Sequence, residues 1–435
     1  MLFHSTRNSE HRVGLGAAIA QGIAPDGGLY IPESLPKVSP KDFDGLTELS
    51  EIAVRLIGPF AKGDAMANVL KDICDDAFNF PAPLVELNGT PGAASVLELF
   101  HGPTSAFKDF GARFLAASLE RIRAASHSSR KLNILVATSG DTGGAVAAAF
   151  HRRAWVEVSV LYPKGLVSQR QAQQLACWGD NIHTYRVSGT FDECQRIVKE
   201  AFLDADLNKT HELSSANSIN VGRLLPQMVY YAKSSLDIWR RTGKAANYII
   251  PSGNLGNSMA CIWARAMGLP IGEVILATNS NRTIPDFLQS GEWQPRQSIA
   301  TLASAMDVGN PSNMERLRAL YDFAQIKQQV TAVSVDDAAI RARIKSDAIT
   351  LKQVWCPHTA TAAEVYWHLP KEKLDQHWVL VSTAHPAKFN DIVEPLINSL
   401  VPVPAALAKL LSLPQHQTDI EPTLVALKKQ MQGAA

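Results

Sequence analysis

The chain has 435 residues, which is enough for about three domains of ~150 residues and for at least one large buried core. Apolar residues make up 46% and charged residues 19% of the chain, a composition typical of folded proteins that argues against wholesale disorder. The 42 Lys and Arg residues nearly balance the 41 Asp and Glu residues, and this net charge of +1 argues against nucleic acid as the partner, because proteins that bind polyanions usually carry a surplus of base.

The first 97 residues are expected to form an N-terminal cap domain without catalytic residues. Turn-forming residues occupy Pro25–Gly28 and the two X-Pro pairs that follow. Apolar residues then recur at helical spacing between Leu46 and Phe80. The sequence Pro81-Ala82-Pro83 ends that pattern, because proline cannot continue a helix.

The segment His101–Gly111 contains a lysine in an unusual setting. Lys108 lies between Phe107 and Phe110 in an apolar stretch, and burial there would disfavour the charged amine and lower its pKa. An uncharged lysine amine is nucleophilic enough to form a Schiff base with a carbonyl compound. The alternative is a lysine at a helix end that pairs with Asp109 and reaches solvent.

From Leu132 onward, short apolar runs alternate with helix-prone stretches. The apolar runs predict strands at Leu132–Ala137, Trp155–Tyr162, His183–Val187, Tyr248–Ile250, Glu273–Thr278 and Trp378–Ser382. The other stretches predict helices at Ala145–Phe150, Ser168–Cys177, Phe191–Phe202 and Ser258–Gly268. This alternation is typical of parallel sheets with helices on both faces. The Pro- and Leu-rich residues after Phe389 are expected to form a packed C-terminal tail.

Two glycine loops each follow a predicted strand and open a predicted helix: Ser139-Gly140-Asp141-Thr142-Gly143 and Ser252-Gly253-Asn254-Leu255-Gly256. Glycine permits tight turns and close approach of a ligand, and a helix start offers unpaired N–H donors, so each loop can hold an anion. Neither loop is a Walker motif or a dinucleotide fingerprint. The alternative is a pair of tight turns in which Ser or Asn caps the helix.

The cysteines and the start of the chain indicate the cellular setting. The chain has an odd number of cysteines, no two of them close in sequence: Cys74, Cys177, Cys194, Cys261 and Cys356. This pattern argues against a disulfide framework and against a zinc site, so we expect buried, reduced thiols and no metal. No apolar stretch approaches the ~18 residues that span a bilayer, and the first residues lack the apolar core of a signal peptide. We therefore expect a cytoplasmic protein without a membrane partner.

Five segments, in the same order along nearly the whole chain, resemble the threonine synthases of the longer type found in bacteria and fungi. They are His101–Gly111, Thr138–Gly143, Asn217–Arg223, Pro251–Gly256 and Thr383–Phe389. The first and the last are specific to that family, whereas the glycine loops alone would suit several pyridoxal-phosphate enzymes of the tryptophan-synthase-like group. The resemblance implies the α/β architecture called fold type II: two open, mostly parallel twisted sheets with helices on both faces, here with an N-terminal cap domain.

The resemblance also implies how the chain divides into domains. We expect a cap domain over residues 1–97, a segment over 98–131 that carries the Schiff-base lysine and belongs to the large pyridoxal-phosphate domain, a smaller mobile α/β domain over 132–235, the large domain over 236–395, and a C-terminal tail over 396–435.

The resemblance assigns roles to individual residues. Lys108 would be the catalytic residue and would carry pyridoxal 5'-phosphate, and Thr383 would face the pyridine nitrogen with a neutral hydroxyl. The cofactor phosphate would be bound by Ser252, Gly253, Asn254, Leu255 and Gly256. The substrate side would be lined by Ser139, Gly140, Asp141, Thr142 and Gly143. The phosphate of the substrate would be bound by Asn217, Ser218, Asn220 and Arg223.

The implied activity is that of a lyase in amino-acid biosynthesis, at the last step to threonine. It converts O-phospho-L-homoserine and water into L-threonine and phosphate by γ-elimination and β-hydration, with Lys108 as acid and base. Substrate and cofactor together carry three anionic groups, and the sequence offers three anion sites: the two glycine loops and the segment that contains Arg223. Arginine suits phosphate because its planar fork donates two parallel hydrogen bonds. The alternative for Arg223 is a surface ion pair.

Two other activities are compatible with parts of the sequence. Another enzyme of the same cofactor group, such as a threonine or serine dehydratase or a cysteine-synthase-like enzyme, would share the lysine and the glycine loops. More remotely, Ser105-Ala106-Phe107-Lys108 fits the Ser-x-x-Lys motif of acyl-enzyme hydrolases, and Ser215-Ala216-Asn217 and Arg241-Thr242-Gly243 follow in the matching order.

A small-molecule substrate is the expected partner, for a monomer or a homodimer. Of two further candidates for proton transfer, His385 is expected to be a structural hydrogen bonder, and His101 is open between the two roles.

Overall fold

The computed structural model describes residues 1–126 and 130–432 of the chain. Its strands are β1 (Phe3–Ser5), β2 (Arg12–Val13), β3 (Tyr30–Pro32), β4 (Leu84–Glu86), β5 (Ala94–Glu98), β6 (Leu132–Ala137), β7 (Val156–Pro163), β8 (Ile182–Val187), β9 (Glu212–Ser214), β10 (Ala246–Pro251), β11 (Ile271–Thr278), β12 (Thr331–Ser334), β13 (Trp378–Ser382) and β14 (Thr418–Ile420).

Its helices are α1 (Leu15–Gln21), α2 (Leu49–Ala61), α3 (Leu70–Ala77), α4 (Lys108–Ser126), α5 (Asp141–Phe150), α6 (Gln169–Ala176), α7 (Phe191–Leu203), α8 (Ala205–Thr210), α9 (Val221–Leu224), α10 (Gln227–Thr242), α11 (Gly256–Met267), α12 (Thr283–Ser290), α13 (Met314–Leu320), α14 (Phe323–Gln329), α15 (Asp337–Thr350), α16 (Pro357–Trp367), α17 (Asn390–Ile397), α18 (Ala405–Leu411) and α19 (Leu424–Gln432). Short 3₁₀ turns lie at Pro40–Phe43, Ala65–Asn68, Ser304–Met306, Lys371–Lys373 and Pro386–Phe389.

Within the described residues the strands pair into three sheets. The large sheet has the order β12-β11-β10-β13-β5-β4, and its neighbours are parallel except for the antiparallel pair of β4 and β5. The small sheet has the order β14-β8-β7-β6-β9 and is parallel throughout. A third, antiparallel sheet of order β2-β1-β3 belongs to the N-terminal region. The predicted α/β architecture is confirmed.

The central strands of the large sheet explain why apolar runs form strands here. Every residue of β10 and of β13 is buried, as expected for parallel strands that helices cover on both faces. In the register of these strands, Ile249 pairs with Leu380, and Leu380 pairs with Val96 of β5. The strands therefore run side by side, and their carboxyl ends meet at one edge of the sheet.

The segments that carry the family resemblance follow the carboxyl ends of strands. The His101–Gly111 segment follows β5, the Thr138–Gly143 loop follows β6, the Ser252–Gly256 loop follows β10, and the Thr383–Phe389 segment follows β13. Open α/β sheets bind ligands at these ends. The fold thus brings distant parts of the chain to one place.

Two strand pairings cross the predicted domain boundaries. Strand β5 crosses the predicted boundary between residues 97 and 98 and pairs with β13 in the large sheet, and β4, within the predicted cap, pairs with β5. Strand β14, which lies within the predicted tail of residues 396–435, pairs with β8 in the small sheet. Both pairings connect residues of a predicted terminal region to a central sheet, and both have the same reason. A short strand is stabilised by a partner far away in the sequence, which local patterns do not report.

The N-terminal cap packs against the lysine-bearing part of the molecule. Helix α3 of the cap contacts α4, and α2 contacts α10. Phe78 and Phe80 lie against Phe110 of α4 with ring centroids 6.1 and 4.5 Å apart. The cap therefore buries the outer face of the helix that Lys108 begins. None of the helices in the described ranges is long and apolar enough to cross a bilayer.

Candidate active site

A cavity of about 460 Å³ lies at the carboxyl ends of the parallel strands of the large and small sheets; we call it the central cavity. Its walls come from the loops after β6, β10 and β13, from the start of α4, and from residues 217–223. Helix α7 adds a wall from the small-sheet side, and residues 296–312 add one from the large-sheet side. Most of these walls are segments that the sequence singled out.

Lys108 is the first residue of α4 and lines the central cavity. The turn before it is held on two sides. The Phe107 N–H donates to the Thr383 carbonyl oxygen at 2.9 Å. The Asp109 carboxylate accepts from the Thr104 N–H at 2.8 Å and from the Thr104 hydroxyl at 2.7 Å. These bonds fix where the lysine enters the cavity.

The electrostatic surroundings of Lys108 favour its uncharged form. Burial lowers the pKa of Lys108 to about 8, and this shift is opposed by Asp141 and assisted by Lys388 and Arg223. A lysine with such a pKa has an uncharged, nucleophilic fraction near neutral pH. The alternative expectation, an amine paired with Asp109 and open to solvent, is not what the structure contains, since Asp109 is buried and bonded to Thr104.

The loop Ser252–Gly256 connects β10 to α11 in a conformation that its sequence permits. Leu255 adopts a left-handed φ of 61°. A Cβ atom on Gly253 would lie 2.7 Å from the Cα of Met306, so only glycine lets the loop pass this close to the facing backbone. The Ser252 hydroxyl donates to the Ile250 carbonyl oxygen at 2.8 Å. The loop opens a helix of 12 residues, and such a helix start attracts anions.

Asn257, in the first turn of α11, adds an unsatisfied donor to this loop. Its Oδ1 accepts from the Tyr230 hydroxyl at 2.5 Å and from the Tyr231 hydroxyl at 2.8 Å, so the orientation of the amide is fixed. Its Nδ2 is buried and has no hydrogen-bond partner among the described residues. Because a buried donor without a partner is costly, this atom indicates a missing acceptor such as a phosphate oxygen.

The loop Ser139–Gly143 connects β6 to α5 around a threonine. The Thr138 hydroxyl oxygen accepts from the Gly140 N–H at 3.0 Å and from the Gly143 N–H at 2.9 Å. Gly140 has a φ of 133°, and a Cβ there would lie 2.5 Å from the Gln171 Nε2. Gly140 and Gly143 shape the turn and are not among the cavity-lining residues, whereas the other three positions of the loop line the cavity.

Asp141 is a buried carboxylate in this loop. Its Oδ1 lies 2.8 Å from the Lys388 Nζ and accepts from the Gln171 Nε2 at 3.0 Å. Burial opposes its ionisation, but Lys388 and Lys108 outweigh burial and hold the pKa of Asp141 below its usual value. The central cavity therefore has an ionised carboxylate in its wall, and that carboxylate is already paired with a cation.

Arg223 is a buried cation that also lines the cavity. Only 2% of its surface is exposed. Its Nη1 donates to the neutral Ala216 carbonyl at 2.5 Å, and its Nε has no hydrogen-bond partner among the described residues. Burial lowers the pKa of Arg223 to about 10, against the opposing effect of Asp109. The alternative of a surface ion pair is wrong for this residue. A buried guanidinium that lines a cavity is suited to an anionic ligand.

Of the predicted neighbours of Arg223, some line the cavity and one stabilises the local backbone outside it. Asn217 and Ser218 line the cavity, and the Ser218 hydroxyl accepts from the Asn254 Nδ2 at 2.7 Å. Asn220 is not among the cavity-lining residues. Its Nδ2 donates to the Ile19 carbonyl at 2.9 Å, and its Oδ1 accepts from the Gly222 N–H at 2.8 Å. Asn220 thus caps the short helix α9, which presents Arg223.

The two candidate histidines lie outside the cavity wall. The His101 Nε2 is 2.7 Å from the Glu98 Oε2, and its ring is tilted against that of Phe100 with the centroids 4.8 Å apart. The His385 Nδ1 accepts from the Ala387 N–H at 3.2 Å, and burial lowers the pKa of His385 to about 4. Neither residue lines the central cavity. A neutral His385 that caps the Pro386–Phe389 turn agrees with the structural role expected for it.

Several cavity residues were not predicted. His358 lines the cavity, its Nε2 accepts from the Ala305 N–H at 3.0 Å, and burial lowers the pKa of His358 to about 4. One wall consists of residues between Arg296 and Ser312, a stretch with little regular structure and no periodic pattern. The α7 side chains also lack a motif. Asn257 could have been found, because it directly follows the loop and repeats the Gly-Asn pair of Gly253-Asn254 as Gly256-Asn257.

The residues present fit a pyridoxal-phosphate group. Lys108 has the uncharged amine fraction that the cofactor aldehyde needs, and the glycine loop with the orphaned Asn257 Nδ2 provides a phosphate site. The Thr383 side chain completes the cavity lining from the large sheet. Fold and site together define the class of pyridoxal-phosphate-dependent enzymes, and residues 77–383 match the family model described as "Pyridoxal-phosphate dependent enzyme".

The comparisons narrow this class to one family. Residues 2–78 match the model "Threonine synthase N terminus", and residues 359–431 match "Threonine synthase, C-terminal". The chain is similar to threonine synthase of Serratia marcescens, with 37% identity over 100% of this chain and 99% of the relative. It is also similar to that of Escherichia coli K12, with 36% identity over 99% of each chain. The chain therefore belongs to the threonine synthases.

Solved structures support the same family. The crystal structure of threonine synthase from Escherichia coli superposes with a TM-score of 0.87 at 35% identity and covers 100% of both chains. A PLP-bound threonine synthase from Brucella melitensis gives a TM-score of 0.90 at 31% identity, over 100% of this chain and 99% of that one. An aspartate racemase gives a TM-score of 0.53 at 14% identity, which shows a shared fold alone. The enzyme is a pyridoxal-phosphate-dependent lyase of threonine synthesis.

Proposed function

We propose that the enzyme converts O-phospho-L-homoserine and water into L-threonine and inorganic phosphate by γ-elimination and β-hydration. The observation that carries the proposal is Arg223, a buried cation that lines the same cavity as Lys108. A substrate with a carboxylate and a phosphate, beside a cofactor phosphate, needs three anion sites. The cavity walls supply Arg223 and two glycine loops at helix starts.

In this proposal the chain holds the cofactor at three places. The Lys108 amine binds its aldehyde, the backbone N–H groups of Ser252–Gly256 bind its phosphate, and the neutral Thr383 hydroxyl faces its ring nitrogen. The orphaned Nδ2 of Asn257 joins the phosphate site. Bound pyridoxal phosphate supplies an electrophilic carbonyl carbon and a ring that withdraws electrons from the α-carbon of an amino acid.

The substrate is bound from the other walls. The Ser139, Asp141 and Thr142 positions line the side where the substrate carboxylate lies, and the turn that they form depends on Gly140 and Gly143. Arg223, Asn217 and Ser218 bind the substrate phosphate. Asn220 supports this set from behind, because its amide bonds hold α9 in place.

Lys108 is also the proton carrier of the proposal. Its amine removes the proton from the substrate α-carbon, and it accepts and returns further protons as phosphate leaves the γ-carbon and water adds to the β-carbon. A group that acts as base and as acid in one cycle works best when its pKa lies near the working pH. The pKa of Lys108, which burial lowers to about 8, meets that condition.

The test offers the purified holoenzyme O-phospho-L-homoserine, L-serine and L-threonine in parallel, and measures phosphate, threonine and keto acids. We expect equal amounts of phosphate and threonine from O-phospho-L-homoserine alone. Lys108→Ala should abolish turnover, whereas Lys345→Ala, at an exposed lysine of α15, should not change it. Keto acid from serine or threonine, with O-phospho-L-homoserine untouched, would overturn the proposal in favour of a dehydratase.

We also propose that the enzyme works in the cytoplasm, with a small molecule as its partner. The five cysteines are free and buried, which agrees with a reducing compartment. Light scattering on the purified enzyme decides between the expected monomer and homodimer. Fractionation of cells tests the location, and recovery of the enzyme outside the cytoplasmic fraction would contradict it.

A further inference from the structure

A buried ion pair joins three parts of the active site. The Lys388 Nζ lies 2.8 Å from the Asp141 Oδ1, and the two side chains are 1% and 4% exposed. Lys388 also donates to the Thr104 carbonyl oxygen at 2.8 Å. Asp141 begins α5 beside the small sheet, Lys388 lies after β13 of the large sheet, and Thr104 belongs to the turn before Lys108.

Lys388 itself is not among the residues that line the central cavity, whereas Asp141 is. Lys388 thus acts through other groups rather than on a ligand. Its ammonium group contacts the one loop that carries Asp141 and the one turn that places Lys108. The Thr104 end of this arrangement is rigid, because Asp109 binds the Thr104 N–H and hydroxyl at 2.8 and 2.7 Å.

The charges around Lys108 come from several elements. Asp141 favours the protonated amine, while Lys388 and Arg223 disfavour it. Asp109 follows in the chain, but burial raises the pKa of Asp109 and its oxygens bind Thr104. His358 faces the same group of charges, and burial lowers the pKa of His358 to about 4, which leaves it neutral near pH 7. Asp141 is therefore the anion whose pairing matters most for the Lys108 amine.

We propose that Lys388 is a positioning residue for the Lys108 amine: it neutralises Asp141 and so prevents that carboxylate from holding a proton on Lys108. The inference rests on the proposed function, in which Lys108 couples to the cofactor. In that step the uncharged amine adds to the aldehyde carbon, a carbon–nitrogen double bond replaces the carbon–oxygen one, and the oxygen leaves as one water. A protonated amine cannot begin this addition.

The test measures the proton affinity of Lys108 directly, in the cofactor-free protein. Competitive acetylation with acetic anhydride across pH, read by mass spectrometry of the Lys108 peptide, gives the midpoint at which the amine loses its proton. Lys388→Met leaves Asp141 without its partner, so the midpoint should rise by roughly one pH unit or more. Asp141→Asn leaves Lys388 as an added positive charge, so the midpoint should fall.

The double variant Lys388→Met/Asp141→Asn has neither charge and should return to within about half a unit of the wild-type midpoint. A merely structural role predicts another pattern, because loosening the site admits water and moves the midpoint upward in every variant. Midpoints that shift in the same direction for both single variants, or that do not shift, would overturn the inference. If Lys388→Met does not fold, Asp141→Asn and the double variant carry the comparison.

A second measurement separates this inference from the proposed function. The rate at which pyridoxal phosphate attaches to Lys108, followed by its absorbance and fixed with borohydride, should fall about tenfold in Lys388→Met near neutral pH and recover as the pH rises. Borohydride labelling at a residue other than Lys108 in the wild-type protein would refute the proposed function. Labelling at Lys108 with the wild-type rate in Lys388→Met would refute the inference alone.

Discussion

At the scale of the residue, the buried Lys108 is expected to lower the stability of the folded protein. Burial lowers the pKa of Lys108 from 10.5 to about 8. Between these two values the unfolded chain binds a proton that the folded chain does not, so stability rises with pH across this window, and the full penalty is present below it. Replacing the lysine by an uncharged side chain of similar length should remove the penalty.

We therefore expect Lys108→Met to raise the free energy of unfolding of the cofactor-free protein by on the order of 3 kcal/mol at neutral pH. The advantage over the wild type should shrink as the pH approaches 10.5, the ordinary value of the lysine pKa. Urea unfolding of both proteins at a series of pH values measures this difference. A difference that stays constant with pH would show that packing rather than charge is responsible.

Gly253 makes a second prediction at this scale. The Cβ of an alanine there would lie 2.7 Å from the Met306 Cα and 3.3 Å from the Ala305 carbonyl oxygen. Backbone cannot move aside as a side chain can, so Gly253→Ala should displace the phosphate-binding loop and weaken pyridoxal phosphate binding at least about tenfold. Fluorescence titration of the cofactor-free protein measures the affinity.

The matched control is Gly144→Ala in helix α5, where the added Cβ would find its nearest neighbour, the Gln174 Cβ, at 3.8 Å. Its cofactor affinity should equal that of the wild type. Wild-type affinity in Gly253→Ala as well would mean that the loop adapts and that its close approach to residues 304–306 is not required.

At the scale of the element, the contact of α4 with α9 determines where Arg223 lies. A Cβ on Gly111 of α4 would lie 2.8 Å from the Arg223 Nε and 2.9 Å from its carbonyl oxygen. The helix that begins with Lys108 therefore approaches the helix that carries Arg223 only because Gly111 has no side chain. This single position couples the catalytic lysine to the predicted site of the substrate phosphate.

Gly111→Ala should push α9 away and reduce stability by about 1–3 kcal/mol. We expect the KM for O-phospho-L-homoserine to rise roughly tenfold while the cofactor still attaches, since that site is not displaced. Steady-state kinetics measures the KM, and the absorbance of the bound cofactor measures its attachment. Gly58→Ala in α2, where the nearest atom would be the Leu70 Cδ2 at 4.0 Å, is the control and should leave KM unchanged. An unchanged KM in Gly111→Ala would show that the position of Arg223 does not determine substrate binding.

Elements with a local signal were predictable from the sequence, and elements held by distant partners were not. The strands Leu132–Ala137 and Trp378–Ser382 were predicted with the bounds that they have, because each is a continuous apolar run. Strand β12 alternates between exposed and half-buried residues at the edge of the large sheet, and β9 has three residues. Neither strand has a hydrophobic pattern that identifies it without knowledge of the strand it pairs with.

The site followed the same rule. Its glycine loops and Lys108 could be predicted because turn chemistry and apolar flanks are local features. The wall between Arg296 and Ser312 could not, since it is fixed by tertiary bonds: Asp307 accepts from the Asn279 Nδ2 and the Thr301 hydroxyl, both at 2.7 Å. An asparagine side chain can bind an anion, but the Asn220 amide instead donates to the Ile19 carbonyl oxygen and accepts from the Gly222 N–H.

At the scale of the whole molecule, the small sheet and its helices meet the rest of the enzyme through α5, which packs against α4, and through α6. The Ser168 hydroxyl, which caps α6, donates to the Lys388 carbonyl at 2.9 Å, and the Gln174 Nε2 donates to the Thr104 carbonyl at 3.0 Å. On another wall of the cavity, α7 presents the exposed side chains of Asp192 and Lys199. We therefore expect the predicted mobile domain to turn about α5 and α6, so that α7 moves toward residues 296–312.

Hydrogen exchange tests this motion. With the cofactor and a non-reactive phosphonate analogue of the substrate bound, amides of α7 and of residues 296–312 should exchange on the order of tenfold more slowly than in the holoenzyme alone, because closure buries both walls. Helix α15 contacts α16 and α17 on the large-sheet side and does not line the cavity, so its exchange should not change. Equal slowing in α7 and α15 would indicate general stabilisation by the ligand. No slowing in α7, with the analogue shown to be bound, would mean that the two sheets keep one arrangement and that the substrate enters a cavity already in its final shape.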